Sequence, residues 1–114
     1  MAQPSGLGSE VAKFATGTAA NNTVTMLTTV ADDIYFIKNI IVCNRDSGTA
    51  KIAFTVNDGS NDRYILIDQT IAIDSTFVWS DILFINGAGN IKIIESGGQA
   101  IDYMINYIHQ DWSA

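Results

Sequence analysis

The 114-residue sequence predicts an all-β fold, an antiparallel β-sandwich of jelly-roll type with about eight strands. Three observations carry that expectation. Seventeen residues are Ile, whose branched Cβ suits a pleated strand better than a helix. Two-residue alternation of apolar and polar side chains recurs, and no long stretch shows the i, i+3, i+4, i+7 spacing of an amphipathic helix. Turn signals built from Asn, Asp, Gly and Ser punctuate the chain roughly every 8–12 residues, the rhythm of a sandwich.

The elements follow in order. Residues 1–9 hold Ser5, Gly6, Gly8 and the only proline, Pro4, with Leu7 as the one sizeable apolar side chain after Met1; they read as a flexible arm ahead of a single sandwich domain, 10–114. Strands are expected over 10–15, 22–30, 34–44, 49–57, 63–73, 76–80, 82–85, 90–95 and 100–109. Along 49–57, Ala50, Ile52, Phe54 and Val56 share one face, and Lys51, Ala53, Thr55 and Asn57 share the other. Along 100–109, Ile101, Tyr103, Ile105 and Tyr107 oppose Asp102, Met104 and Asn106. The segment 34–44 breaks the alternation. It is either buried on both faces or bulged, and a bulge near Asn39 is preferred because it returns Ile37, Ile40 and Val42 to one face. Between strands lie Asp32-Asp33, 44–48, 57–62, Asp74-Ser75, 86–90 and 96–98, whose Gly and Asn tolerate positive φ.

Composition excludes several classes. Twelve acidic side chains against six basic ones give a net charge of −6, and the Lys and Arg are scattered, so no nucleic-acid surface is expected. No apolar run reaches the ~20 residues of a membrane helix, and the first residues lack the basic and apolar regions of a signal peptide, so no membrane association is expected. The single Cys43 cannot close an internal disulfide.

Candidate chemistry is sparse. Cys43 and His109, the only residues of their kinds, would have to meet in the fold to act as a nucleophile and base. Cys43 in its apolar strand reads rather as a core thiol, and His109 at a strand end as a surface imidazole. One His and one Cys cannot build a structural zinc site. The loop 57–62 is oxygen-rich enough for calcium but lacks the ligand spacing of an EF-hand, and reads as a turn. Gly87-Ala88-Gly89 precedes a strand, not the helix a phosphate cradle needs. Ten of the twelve acids are Asp, mostly in turns, and no pair stands out for glycoside hydrolysis. No enzyme activity and no cofactor are expected. Trp79, Trp112, Tyr35, Tyr64, Tyr103 and Tyr107 could form a carbohydrate platform, although such rings commonly serve a core or an interface.

Read end to end, residues 20–109 resemble small virion proteins of tailed bacteriophages. The strand Thr23-Val24-Thr25-Met26-Leu27-Thr28-Thr29-Val30 is similar to their "TLYTV" strand. The segment Ile37-Lys38-Asn39-Ile40-Ile41-Val42-Cys43-Asn44 resembles "I-x-x-I-x-V-x-N", and Ala50 to Val56 its alternating partner. Leu83 to Ile91 resembles an "L-x-L-N-x-G-D-x-I" hairpin, with Asn90 at the usual acid, and Ile101 to Ile108 closes the pattern. Ala31-Asp32-Asp33 departs from the usual Pro or Gly after the first strand. The resemblance implies a non-enzymatic structural protein of the virion, assembled in the host cytoplasm: a capsid decoration or cement protein, or else a tail, baseplate or fibre module. Its partners would be the major capsid protein or tail components, and its own copies in a closed oligomer such as a trimer. On this reading Leu7 and Phe14 anchor the N-terminal region, with Trp79 and Trp112 as further contact residues.

Overall fold

The computed structural model describes residues 10–81 and 83–112. They form the expected all-β sandwich, with nine strands: β1 (Glu10–Ala20), β2 (Thr23–Thr29), β3 (Ile34–Asn44), β4 (Ala50–Asn57), β5 (Asp62–Ile71), β6 (Thr76–Trp79), β7 (Leu83–Asn86), β8 (Gly89–Glu95) and β9 (Ala100–Gln110). One sheet has the order β1-β9-β3, with β6 and β7 pairing successive halves of β3 on its far side. The other has the order β2-β8-β4-β5. Counting β6 and β7 as one interrupted strand gives two four-membered sheets, and the chain crosses between them at every step except the β4–β5 hairpin. That is the jelly-roll arrangement, and it explains why nine segments satisfy an eight-strand expectation.

The core lies between the sheets. Ile37, Ile40, Val42, Ile101 and Ile105 from the larger sheet meet Ile52, Phe54, Ile91 and Ile93 from the smaller, all essentially inaccessible to water. Phe54 sits in the middle, with the Trp79 ring edge-on to it at 6.3 Å. The alternation in β4 and β9 therefore names the inward faces correctly. On the other face of β4, Ala53 and Thr55 are buried as well, because β8 and β5 flank this central strand.

The bulge near Asn39 is present. The β3–β9 register shifts between Ile37 and Asn39, leaving Lys38 as the extra residue, and Asn106 Nδ2 donates to Asn39 Oδ1 at 2.7 Å across the shift. Three further shifts were not legible beforehand: one in β2 between Thr25 and Leu27, and two in the β4–β5 pairing. Strand β1 runs to Ala20, five residues beyond the expected end, in unbroken register with β9. Gly17 makes this possible, since a Cβ there would fall 2.4 Å from the Tyr103 hydroxyl.

A buried carboxylate ties one end of the sandwich together. Glu95 is 1% exposed, and its two oxygens accept backbone N–H groups from Asn21, Lys51, Gly97, Gly98 and Gln99 at 2.8–3.2 Å. Burial alone would raise its pKa, but the backbone donors outweigh burial and hold the carboxyl below its ordinary value.

Candidate interaction surface

Alternation fixes what each strand presents to the outside. In β9 the inward Ile101, Tyr103 and Ile105 leave Asp102, Met104, Asn106, Ile108 and Gln110 facing out. The β1–β9 register then places Glu10, Ala12, Phe14, Thr16 and Thr18 on the same outer face. Strand β3 adds Ile34, Phe36 and Ile41, β7 adds Phe84 opposite Phe36, and β6 adds Val78 opposite Ile41. Phe14, Phe84 and Val78 are 64%, 63% and 53% exposed, while Ile34, Phe36, Ile41, Met104 and Ile108 are half-buried against one another. Phe36 and Phe84 meet edge to face at 4.8 Å, and the Lys38 ammonium lies 5.8 Å from the centre of the Phe36 ring. Ile34, Phe36, Phe84 and Ile108, with Glu10 and Gln110 at the rim, line a groove of about 160 Å³. Of the charged groups of this face, Glu10 and the Arg45–Asp102 pair at 3.0 Å lie toward its ends, while Lys38, the extra residue of the bulge, stands near its middle.

The sequence-derived contact residues divide. Phe14 is on the exposed face of the edge strand β1. Trp79 is half-buried and packs inward on Phe54. Trp112 is half-buried, its backbone N–H donating to Asp33 Oδ1 at 3.1 Å and its indole N–H to Gln110 Oε1. Leu7 lies outside the described residues. The exposed aromatic that sequence reasoning missed is Phe84, with its neighbours Phe36 and Ile108; their parity in the strands was readable, but their adjacency was not.

Cys43 and His109 need correction. Cys43 is exposed, not a core thiol, because it takes the outward parity after Val42. His109 is largely buried: its ring stacks on Tyr35 at 4.4 Å, and Nε2 lies 2.7 Å from Asp33 Oδ2. The Lys13 ammonium, which can only donate, is 3.2 Å from Nδ1, so Nε2 carries the proton given to Asp33. The β3–β9 register puts Cys43 opposite Asp102 and His109 opposite Tyr35, eight residues apart along β3, or roughly 27 Å. Thiol and imidazole cannot act together. The His109–Asp33–Trp112 cluster instead fastens the chain after β9 to the corner before β3.

The loop 57–62 uses its oxygens internally. Asp58 Oδ1 accepts from Ser60 and Asn61, Asn57 Oδ1 accepts from Gly59, and Asp62 takes Asn57 and Lys92. Hydrogen bonds from those backbone groups hold Asp58 below the ordinary carboxylate range. Among the described residues, no group of three or more His, Cys, Asp or Glu is placed to hold a metal ion.

No protein-family model matches the chain, and no curated protein matches it in sequence. Solved structures share its fold. A chain in the acid-stable capsid of Helicobacter pylori bacteriophage KHP30 superposes with a TM-score of 0.58 at 8% identity, over 87% of this chain and 90% of that one. A chain from the disulfide-linked pili of Bacillus endospore appendages gives 0.54 at 14% identity, over 91% and 88%. A chain of the infectious bursal disease virus Gx strain gives 0.54 at 11% identity over 88% of this chain, which spans about a third, 32%, of that longer one. At these identities the likeness is one of fold.

Proposed function

We propose that the chain is a non-enzymatic structural protein of a bacteriophage particle, and specifically a capsid decoration or cement protein. The observation that carries this reading is the amount of apolar and aromatic surface left on a folded jelly roll. One expanse is the outer face of β1, β9 and β3. Another is the free edge β5 with the turn after it, where Tyr64, Ile67 and Ile73 are 60%, 63% and 49% exposed. A soluble subunit that functions alone has no reason to expose both. Among the described residues the outer edge of β1 has no strand paired to it, and its eleven residues hold no proline and a single lysine, little of the protection natural edges carry.

Two further points support the reading. The phage-capsid chain and this one cover each other to about nine-tenths, so the likeness of fold runs through nearly all of both chains. Among the described residues, two grooves, along Ile34–Phe84 and along Val56–Ala88, hold about 160 and 170 Å³, below the ~300 Å³ at which small-molecule sites begin. Shell binding is assigned to the β5 edge and to the N-terminal region around Leu7.

Sedimentation with undecorated shells built from the major capsid protein of the same particle tests this. Co-pelleting that saturates at a fixed copy number is expected; no co-pelleting at about 10 μM overturns the reading. The fold also serves in a filament, which favours a tail or fibre module as the second reading. Densitometry of whole virions separates the two, since cement proteins are present in many copies and tail modules in few.

A further inference from the structure

We infer that the outer face of the larger sheet is a two-fold interface between two copies of this chain, in which the Phe14 ring of each copy fills the Ile34–Phe36–Phe84–Ile108 groove of the other. The face carries a projection and a recess side by side. Phe14 stands 64% exposed on β1, opposite Asn106. The groove begins two residues further along, where Ile108 of β9 is paired with Phe36 of β3. Strand spacing and rise put the two features roughly 8–12 Å apart on one surface.

That placement selects the symmetry. Two faces that meet must look in opposite directions, so they are related by an axis lying in the interface. An axis midway between projection and recess, perpendicular to the line joining them, seats both rings at once. A ring-forming contact needs its complementary parts on different surfaces of the molecule. The contact is therefore isologous and closes at two copies.

The area is sufficient. Three strands of eleven residues and the eight residues of β6 and β7 cover about 670 Å², near the ~800 Å² per partner of a stable protein–protein contact. The chemistry also fits self-association. Near the centre of the face Asn39 and Asn106 are already bonded to each other, so closing it leaves few amide groups unpaired, and the one central charge, Lys38, lies against the Phe36 ring. The remaining charge, in Glu10, Arg45 and Asp102, lies toward the ends of the face, where it stays in water. This inference does not depend on the virion reading.

Sedimentation-equilibrium measurements between about 1 and 100 μM test it. The wild-type chain is expected to weigh twice 12.3 kDa at the upper end. Phe14→Asp is expected to weaken association at least 100-fold, Phe14→Leu to retain most of it, and Thr25→Asp, on the exposed side of the other sheet, to leave it unchanged. Far-ultraviolet dichroism and melting of each variant confirm folding. A wild-type monomer at 100 μM, a trimer or pentamer, or a Phe14→Asp dimer of wild-type strength overturns the inference. A monomeric wild type whose shell binding is lost in Phe14→Asp overturns it too, and assigns the face to the shell; shell binding that persists in a monomeric Phe14→Asp leaves the virion reading standing.

Discussion

The two outer faces of the sandwich contrast in chemistry although they are built from strands of similar composition. Outside the smaller sheet stand Thr23, Thr25, Thr28, Asn90, Lys92, Lys51, Asn57 and Tyr64, mostly short hydroxyls, amides and charge, with Ile94 half-buried and Ala53 and Thr55 buried among them. Outside the larger sheet stand Phe14, Ile34, Phe36, Ile41, Val78, Phe84, Met104 and Ile108. An antiparallel sheet with one face in water alternates apolar-in and polar-out, and the smaller sheet obeys this. The larger sheet is apolar on both sides in its middle, the pattern of a layer covered twice. The difference sets the outer face of the larger sheet apart as the broad apolar expanse, with the β5 edge of the smaller sheet as a second, narrower one. It also separates two kinds of apolar residue, those that hold the fold and those that wait for a partner, which substitutions should tell apart.

The largest effect is expected where both sheets meet. Phe54→Ala empties the centre of the core and leaves the Trp79 ring without its edge contact, so it should cost about 3–5 kcal/mol in chemical denaturation. A loss below about 1 kcal/mol would mean the inner faces are loosely packed, and the contrast between core and outer face would lose its footing.

Glu95→Gln comes next. It keeps the shape but removes the charge that five backbone N–H groups share, for an expected loss of about 2–3 kcal/mol at pH 7. The sign with pH follows from the depressed pKa. The unfolded carboxyl titrates near its ordinary value of about 4.3. Above that pH the stabilisation is present in full; as pH falls toward and through the lower folded value, it disappears. The gap between wild type and Glu95→Gln in denaturant midpoint should therefore be constant from pH 8 to 5 and close below about pH 4.5. A constant gap down to pH 2 would contradict the assignment.

Strand existence and the inward faces of β3, β4 and β9 were legible because alternation survives in single segments and because Ile37, Ile40 and Val42 share a face only through a bulge. Parity also held the answer for Cys43 and His109: counting outward from Val42 exposes the thiol, and counting inward from Ile105 buries the imidazole. The apolar run around Cys43 and the strand-end position of His109 were the weaker signals. The shifts in β2 and β5 were hidden because Met26-Leu27 and Ile65-Leu66-Ile67 are continuous apolar runs, in which a register slip leaves no mark. The interaction surface was the least legible part. Ile34, Phe36, Phe84 and Ile108 come from three strands, and the pairings that gather them, β3 with β9 and with β7, span tens of residues. No local pattern records which strands become neighbours, so the patch exists only after the chain is paired.

The smallest effect is expected on the apolar outer face itself. Phe84 is as large as Phe54 but 63% exposed, and among the described residues its aromatic contact is the edge-to-face pair with Phe36. Removing that pair in Phe84→Ser forfeits about 0.5–1.5 kcal/mol, partly offset because a serine side chain at an exposed site is better hydrated than a phenyl ring. The net change in unfolding free energy should stay below about 1 kcal/mol when measured at 1 μM, where copies are apart. A cost near that of Phe54→Ala would show that Phe84 belongs to the fold's own core. A small cost together with weakened self-association at 100 μM would show that its apolar area stabilises the fold only through the partner that covers it.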